Sequence, residues 1–240
     1  MTLQTNAFAT LDLSPATLAN LEQLGYLEMT PIQAASLPVA LAGADLIAQA
    51  KTGSGKTAAF ALALLAKLNP RWFSVQAMVM CPTRELADQV TVEIRRLARA
   101  QDNIKVVTLC GGIALRGQRA SLENGAHIVV GTPGRIMDHL ERGYLVLDGL
   151  NTLVLDEADR MLDMGFFDDI SKVVQQTPKT RQTLLFSATY PEGIEKLARQ
   201  FMRTPQQIKI EAPQAQSQIE QRFYEVTRAN RLETVGKLLM

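Results

Sequence analysis

Ala50-Lys51-Thr52-Gly53-Ser54-Gly55-Lys56-Thr57 is the stretch that decides the fold of this 240-residue chain. It follows an apolar run, 46–50, and opens an apolar helical pattern, 56–68. Strand, glycine-rich loop and helix in that order form the context in which such a loop cradles phosphate. Gly53 and Gly55 can take backbone angles that turn successive N–H groups inward as an anion nest. The start of the following helix adds partial positive charge. Lys56 is placed to reach β- and γ-phosphates, and Thr57 to offer its hydroxyl to Mg²⁺. Ala50 stands where the usual pattern has its first glycine.

Outward from the loop, short apolar runs recur at 77–81, 106–109, 127–131, 152–156, 182–187 and 207–210. Most are continuously apolar rather than alternating, as strands covered on both faces are. Helical patterns separate them, among them 84–99 and 191–201. This alternation predicts an α/β fold with a parallel sheet and helices on both faces. Ligands of such sheets bind at the carboxyl ends of the strands. Ahead of the first strand, Ser14-Pro15 and Thr30-Pro31 each read as an N-cap with proline at the first helical position. The reading divides the chain into a helical extension (1–34), a nucleotide-binding domain (35–212), and a linker with the opening of a second domain (213–240). In the last of these, 211–218 reads as linker, 219–226 as a strand, and 232–240 as the start of an apolar helix.

Composition bounds the partners. The chain is 47% hydrophobic, enough for a full core, and its 25 basic and 24 acidic residues leave a net charge of +1. A protein that grips nucleic acid through a broad basic face looks different, so any such binding is local. No apolar run approaches the ~20 residues of a membrane span, and the start lacks the pattern of a signal peptide. Cys81 and Cys110 form no CxxC pair and read as buried small hydrophobes. His127 and His139 lie in no motif and read as structural. The expectation is a cytoplasmic, monomeric protein.

Asp156 ends the apolar run of Leu153, Val154 and Leu155, where a Mg²⁺-holding carboxylate belongs. Glu157 beside it could polarise an attacking water as general base. The tetrad Asp156-Glu157-Ala158-Asp159 then carries a family, because further signatures appear in order around it. The segment from Gly25 through Tyr26, Thr30 and Pro31 to Gln33 resembles a Q motif, with Phe8 at the expected distance upstream. Pro82-Thr83-Arg84-Glu85-Leu86-Ala87 resembles motif Ia, Gly111-Gly112 the GG motif, Thr132-Pro133-Gly134-Arg135 motif Ib, and Ser187-Ala188-Thr189 motif III. The chain thus resembles the first RecA-like domain of DEAD-box ATP-dependent RNA helicases. Glu85-Leu86-Ala87-Asp88-Gln89-Val90 and Leu109-Cys110-Gly111-Gly112 are most similar to the bacterial DbpA group.

The resemblance implies roles. Gln33 would pair with the N6/N7 edge of adenine, as its amide can, and Phe8 would stack on the base. Tyr26 belongs to the same nucleotide-binding set, and Thr30 serves as cap or as nucleotide contact. Lys51, Thr52 and Ser54 complete the phosphate loop, and Lys56, Asp156 and Glu157 are the candidate catalytic groups. Pro82, Thr83, Arg84, Gly111, Gly112, Thr132, Pro133, Gly134 and Arg135 would face RNA, largely through backbone N–H groups at helix starts. Arg84 and Arg135 would add charge-assisted bonds. Asp159, Ser187 and Thr189 would link the ATP and RNA faces. The implied activity is ATP-driven local unwinding of RNA in concert with a second RecA-like domain, in ribosome assembly or RNA remodelling.

Two rival readings differ in class. A P-loop ATPase acting on DNA would lack the Q motif and the pairing of Pro-Thr-Arg-Glu with Thr-Pro-Gly-Arg. A non-catalytic scaffold has no need to keep Lys56, Thr57, Asp156 and Glu157 together.

Overall fold

A computed structural model describes residues 6–210, 222, 224–227 and 229–238. Its centre is a seven-stranded sheet built from β1 (Leu46–Gln49), β2 (Ala77–Met80), β3 (Val106–Leu109), β4 (Ile128–Gly131), β5 (Thr152–Leu155), β6 (Gln182–Ser187) and β7 (Gln206–Lys209). The order across the sheet is β3-β4-β2-β5-β6-β1-β7, and every pairing is parallel. The seven strands expected between residues 46 and 210 all form, each within a residue of its expected bounds.

Helices fill the crossovers and flank the sheet. They are α1 (Pro15–Gln23), α2 (Pro31–Leu41), α3 (Lys56–Ala66), α4 (Arg84–Leu97), α5 (Leu115–Glu123), α6 (Pro133–Glu141), α7 (Ala158–Asp163), α8 (Phe167–Gln175) and α9 (Glu192–Phe201). A further helix, α10 (Arg231–Leu238), exposes Leu232, Val235 and Leu238. Both expected caps begin helices. Ser14 accepts the Thr17 N–H at 3.1 Å ahead of Pro15, and Thr30 precedes Pro31. The expected linker at 211–218 lies outside the described residues. Of the strand expected at 219–226, the described residues are not in a strand.

The period-two geometry of a strand sorts the apolar runs into two cores. Ala77, Val79, Val154, Leu184 and Phe186 face the layer of α1 to α4, while Met78, Met80, Leu153, Leu155 and Leu185 face that of α6, α8 and α9. This is why the runs are apolar at every position. Phe60 on α3 meets Phe186 on β6 with ring centroids 5.3 Å apart, and both are fully buried. Each such side chain contributes roughly 1.5–3 kcal/mol by leaving water. No boundary appears between residues 34 and 35, which lie within α2. Ile32 and Leu37 share one core with Phe60, so the helical extension is part of the domain. At the outer edge, a Cβ on Gly131 would come within 2.2 Å of the Leu109 carbonyl oxygen. Only glycine lets β3 and β4 close at their carboxyl ends.

Candidate active site

The strand order arranges the motifs in space. Across the carboxyl edge of the sheet lie Gly111-Gly112 after β3, Thr132 to Arg135 after β4 and Pro82 to Arg84 after β2. Asp156 to Asp159 follow β5, Ser187 to Thr189 follow β6, and the phosphate loop follows β1. One half of the edge therefore carries the nucleotide motifs and the other the motifs expected to face RNA. Motif III stands between the phosphate loop and the acidic tetrad.

The loop itself is held by its neighbours. Ala50 N–H donates to the Ser187 carbonyl at 3.1 Å, joining the loop to motif III. Gly55, at φ +94°, leads into α3, and a Cβ there would lie 2.6 Å from Gln33 Nε2. Lys56 is buried, and its ammonium donates to the Ala50 and Lys51 carbonyls at 2.7 and 3.1 Å. Two hydroxyls at the site, Thr30 Oγ1 and Ser54 Oγ, are buried without a hydrogen-bond partner. Buried polar atoms are ordinarily satisfied, so a ligand rich in acceptors suits this loop. The residues present fit a nucleotide triphosphate.

Asp156 is 3% exposed, and its Oδ1 accepts the Glu157 N–H at 3.0 Å. Burial pushes its carboxyl up to about 7, with Lys56 opposing and Glu157 adding to the shift. Glu157 is held at φ 50° and ψ 50°, the left-handed region that non-glycine residues rarely occupy. Such strain concentrates at functional sites. Its carboxylate pairs with Arg160 at 3.2 Å. Among the described residues, no three metal-ligating side chains cluster. Thr57 and Asp156 fit a Mg²⁺ that draws most of its ligands from phosphate and water, as this ion commonly does.

Asp159 Oδ2 accepts the Thr189 backbone N–H at 2.9 Å and its hydroxyl at 2.7 Å. Burial works to raise this carboxyl, but the Thr189 bonds and the nearby Ser187 outweigh it and hold the group below its usual range. Ser187 is 1% exposed and its hydroxyl lacks a bond of ordinary geometry. The coupling trio is thus brought together, with Asp159 and Thr189 joined directly.

Several expected site residues sit otherwise. Phe8 is only 5% exposed and meets Tyr26 edge-on, with centroids 6.3 Å apart. The ring packs in the core of α1 to α4, where burying an aromatic is favourable. The Tyr26 hydroxyl donates to the Glu93 carboxylate on α4, and burial followed by this bond pushes it up to about 12. Tyr26 therefore ties the Q segment to α4. The Gln33 amide is occupied at both ends: Oε1 accepts the Thr30 N–H at 2.9 Å, and Nε2 donates to the Gly55 carbonyl at 3.1 Å. Each end keeps one further position, an N–H on Nε2 and a lone pair on Oε1, which is the set that pairing with adenine would use.

On the other half of the edge, Arg84, Gly111, Gly112 and Gly134 are exposed, and Thr83, Thr132 and Arg135 are half-buried. Thr83 caps α4 by accepting the Leu86 N–H at 3.3 Å. Pro82 and Pro133 are buried and shape helix starts instead of offering surface. Arg135 turns inward, and its Nη1 donates to the Ile113 carbonyl at 3.0 Å and to Gln118 Oε1 at 3.1 Å. Gln118 and Glu93 are partners that motif reading missed, since each acts through a tertiary contact with no signature in local sequence. His127 and His139 are both fully buried, and so are both cysteines. His127 Nδ1 accepts the Lys105 N–H at 3.0 Å, a structural role as expected.

Comparison with known proteins agrees with this geometry. The DEAD/DEAH box helicase family model matches residues 30–197. The ATP-dependent RNA helicase DbpA of Escherichia coli K12 is 56% identical over 97% of this chain and 51% of its own length. The DEAD-box ATP-dependent RNA helicase CshA of Streptococcus pneumoniae is 44% identical over 97% of this chain and 44% of its own. The chain thus spans about half the length of the curated relatives it matches. Among solved structures, a DEAD box protein from the hyperthermophile Methanococcus jannaschii superposes with a TM-score of 0.82 at 40% identity, covering 97% of this chain and 63% of that one. With its phosphate loop, acidic tetrad and motif III on one sheet edge, the chain belongs to the DEAD/DEAH box helicase family.

Proposed function

We propose that this chain is the ATP- and RNA-binding half of an ATP-dependent RNA helicase, coupling ATP turnover to local unwinding together with a second RecA-like domain. The observation that carries the reading is the Asp159–Thr189 connection. It bridges the strand that bears the acidic tetrad and the strand that bears motif III, whose Ser187 carbonyl in turn receives the phosphate loop at Ala50. A change at the phosphates therefore has a short path of hydrogen bonds to the rest of the sheet edge. The similarity to DbpA and CshA, both named as ATP-dependent RNA helicases, supports the substrate class.

In this reading Lys56 exchanges its bonds to Ala50 and Lys51 for the β- and γ-phosphates of ATP. Gln33 turns its second N–H and its second lone pair to the adenine edge. Asp156 and Thr57 hold Mg²⁺, whose chemistry when bound is to neutralise charge on the phosphates. Glu157 takes a proton from the attacking water. RNA lies along the ends of β2, β3 and β4, held through phosphates at the starts of α4 and α6 and so without regard to base sequence. The chain acts as a monomer in the cytoplasm; among the described residues no helix is long and apolar enough to cross a membrane. RNA remodelling, with ribosome assembly as one setting, is what the family resemblance supports. The test compares ATP turnover of the chain joined to its second domain with single-stranded RNA and with DNA of the same sequence. Strong stimulation by RNA alone is expected, and equal stimulation by DNA would move the assignment to another class of P-loop ATPase.

A further inference from the structure

The two loops expected to face RNA at the β3–β4 edge are not independent. Gln118, in the middle of α5 and 5% exposed, joins them. Its Nε2 donates to the Cys110 carbonyl at 2.8 Å, just before Gly111-Gly112. Its Oε1 receives Arg135 Nη1 at 3.1 Å and His139 Nε2 at 2.9 Å, both from α6. The same Arg135 nitrogen donates to the Ile113 carbonyl, just after the glycine pair. The turn is therefore gripped on both sides. A carbonyl can only accept, so the amide orientation is fixed with its oxygen toward α6. That oxygen can only accept in turn, so His139 carries its proton on Nε2. Its Nδ1 is left bare and buried without a partner. Leaving such an atom unpaired has a cost, which the network accepts for the sake of a third bond to Gln118.

We propose that Gln118, backed by His139, is a positioning residue for RNA binding: it locks the Gly111-Gly112 turn and the Thr132–Arg135 helix start into one rigid unit. The inference rests on the RNA-binding reading above. Loops held in register present their N–H groups at a fixed spacing, so phosphates meet them without ordering the backbone first. Arg135 acts here as an anchor inside the unit.

The test titrates a labelled single-stranded oligoribonucleotide with this chain, read by fluorescence anisotropy, alongside Mg-ATP affinity by calorimetry. Gln118→Leu keeps the volume and removes all three bonds. It should weaken RNA roughly tenfold, the scale of one lost hydrogen bond, and leave the Mg-ATP affinity within about twofold. Gln118→Glu supplies a readout that mere packing would not move. When protonated, the carboxyl introduced by this change can still donate to the Cys110 carbonyl and accept from Arg135 and His139; once ionised, it cannot donate. Its RNA affinity relative to the parent should approach one at low pH and fall as pH rises. The charged and titratable groups around it are Arg135, Asp138, His139 and Arg142 on α6, Tyr144 after it, and Arg84 and Asp88 near Cys110. Taking the ratio to the parent at each pH removes the titration of groups that the substitution leaves unperturbed, and His139→Asn combined with Gln118→Glu removes that of the contacting imidazole. Undiminished RNA affinity in Gln118→Leu, a parallel loss of ATP affinity, or a pH-independent ratio for Gln118→Glu would each overturn the proposal. A parent chain that binds no RNA would instead remove the reading beneath it.

Discussion

Gln33 and Gly55 are joined by a hydrogen bond of 3.1 Å from side-chain amide to backbone carbonyl, so the segment expected to read the base also fastens the phosphate loop. The same amide accepts the Thr30 N–H and so supports the start of α2. One side chain has two tasks, and its loss should register in both. Gln33→Ala should remove the preference for ATP over GTP, because a wrong base leaves a buried amide unpaired only while the amide exists. It should also cost about 1 kcal/mol of stability, the scale of a lost helix cap. Calorimetric affinities for both nucleotides and a melting curve check the pair; full retention of ATP/GTP discrimination would remove Gln33 from base recognition.

Phe8 separates a core anchor from a stacking ring. Its burial among α1 to α4 means that Phe8→Ala should destabilise the chain by about 3–5 kcal/mol, as large-to-small changes in a core do. Phe8→Leu should restore most of that stability and leave ATP affinity unchanged. Denaturant unfolding and calorimetry on the two variants decide the matter: stability kept in Phe8→Ala together with lost purine affinity would return the ring to the base.

Much of this was legible in sequence because it rests on local rules. The strands showed as apolar runs, since Val79 and Met80 both need apolar neighbours on opposite faces. Ser14 and Thr30 marked helix starts through their own cap chemistry. The phosphate loop, Asp156 and motif III announced themselves by spacing. What spacing could not show was competition for the same side chain. Phe8 stands at the family's distance from the Q segment, yet its partner Tyr26 and the surrounding core claim the ring. Tyr26 in turn is claimed by Glu93 and Arg135 by Gln118, across 67 and 17 residues of chain. Such contacts are set by packing of whole helices, which no short motif encodes.

Lys56 tests the phosphate site. Its ammonium rests on loop carbonyls at 2.7 and 3.1 Å, poised for exchange with phosphate oxygens. Lys56→Ala should weaken Mg-ATP binding by roughly 2–4 kcal/mol, the cost of removing one partner of a desolvated charge pair. The fold should persist, because the sheet and both cores are untouched. An unchanged calorimetric affinity would contradict the assignment.

Asp156 gives the metal-free protein a pH dependence with a definite sign. Its carboxyl is raised to about 7 in the fold, against an ordinary value of about 3.9 in the unfolded chain. Between these values the folded state binds more protons at this group, so its contribution to stability is fullest below about 4 and is lost as pH rises toward 7, opposite in sign to that of the lowered Asp159 carboxyl. Asp156→Asn should flatten that slope. Urea unfolding in chelator across this window measures it, and an equal slope in the variant would place the titration elsewhere.

The central claim is that this domain binds ATP and RNA but turns over only with a second RecA-like domain. Phosphoryl transfer needs positive charge on the γ-phosphate oxygens as the bond breaks, and an arginine finger is typically worth ~10³ to 10⁵ in rate. Arg84 and Arg135 face the other half of the sheet edge, and Arg160 is paired with Glu157. The direct measurement is steady-state ATP hydrolysis with saturating RNA, comparing this chain alone with the chain joined to its second domain. The account predicts Mg-ATP binding by both and a deficit in turnover of roughly 10³-fold or more for the single domain. RNA-stimulated turnover of the single domain within about tenfold of the longer protein, far short of an arginine finger's contribution, would show that it completes its own catalytic site and contradict the division of labour.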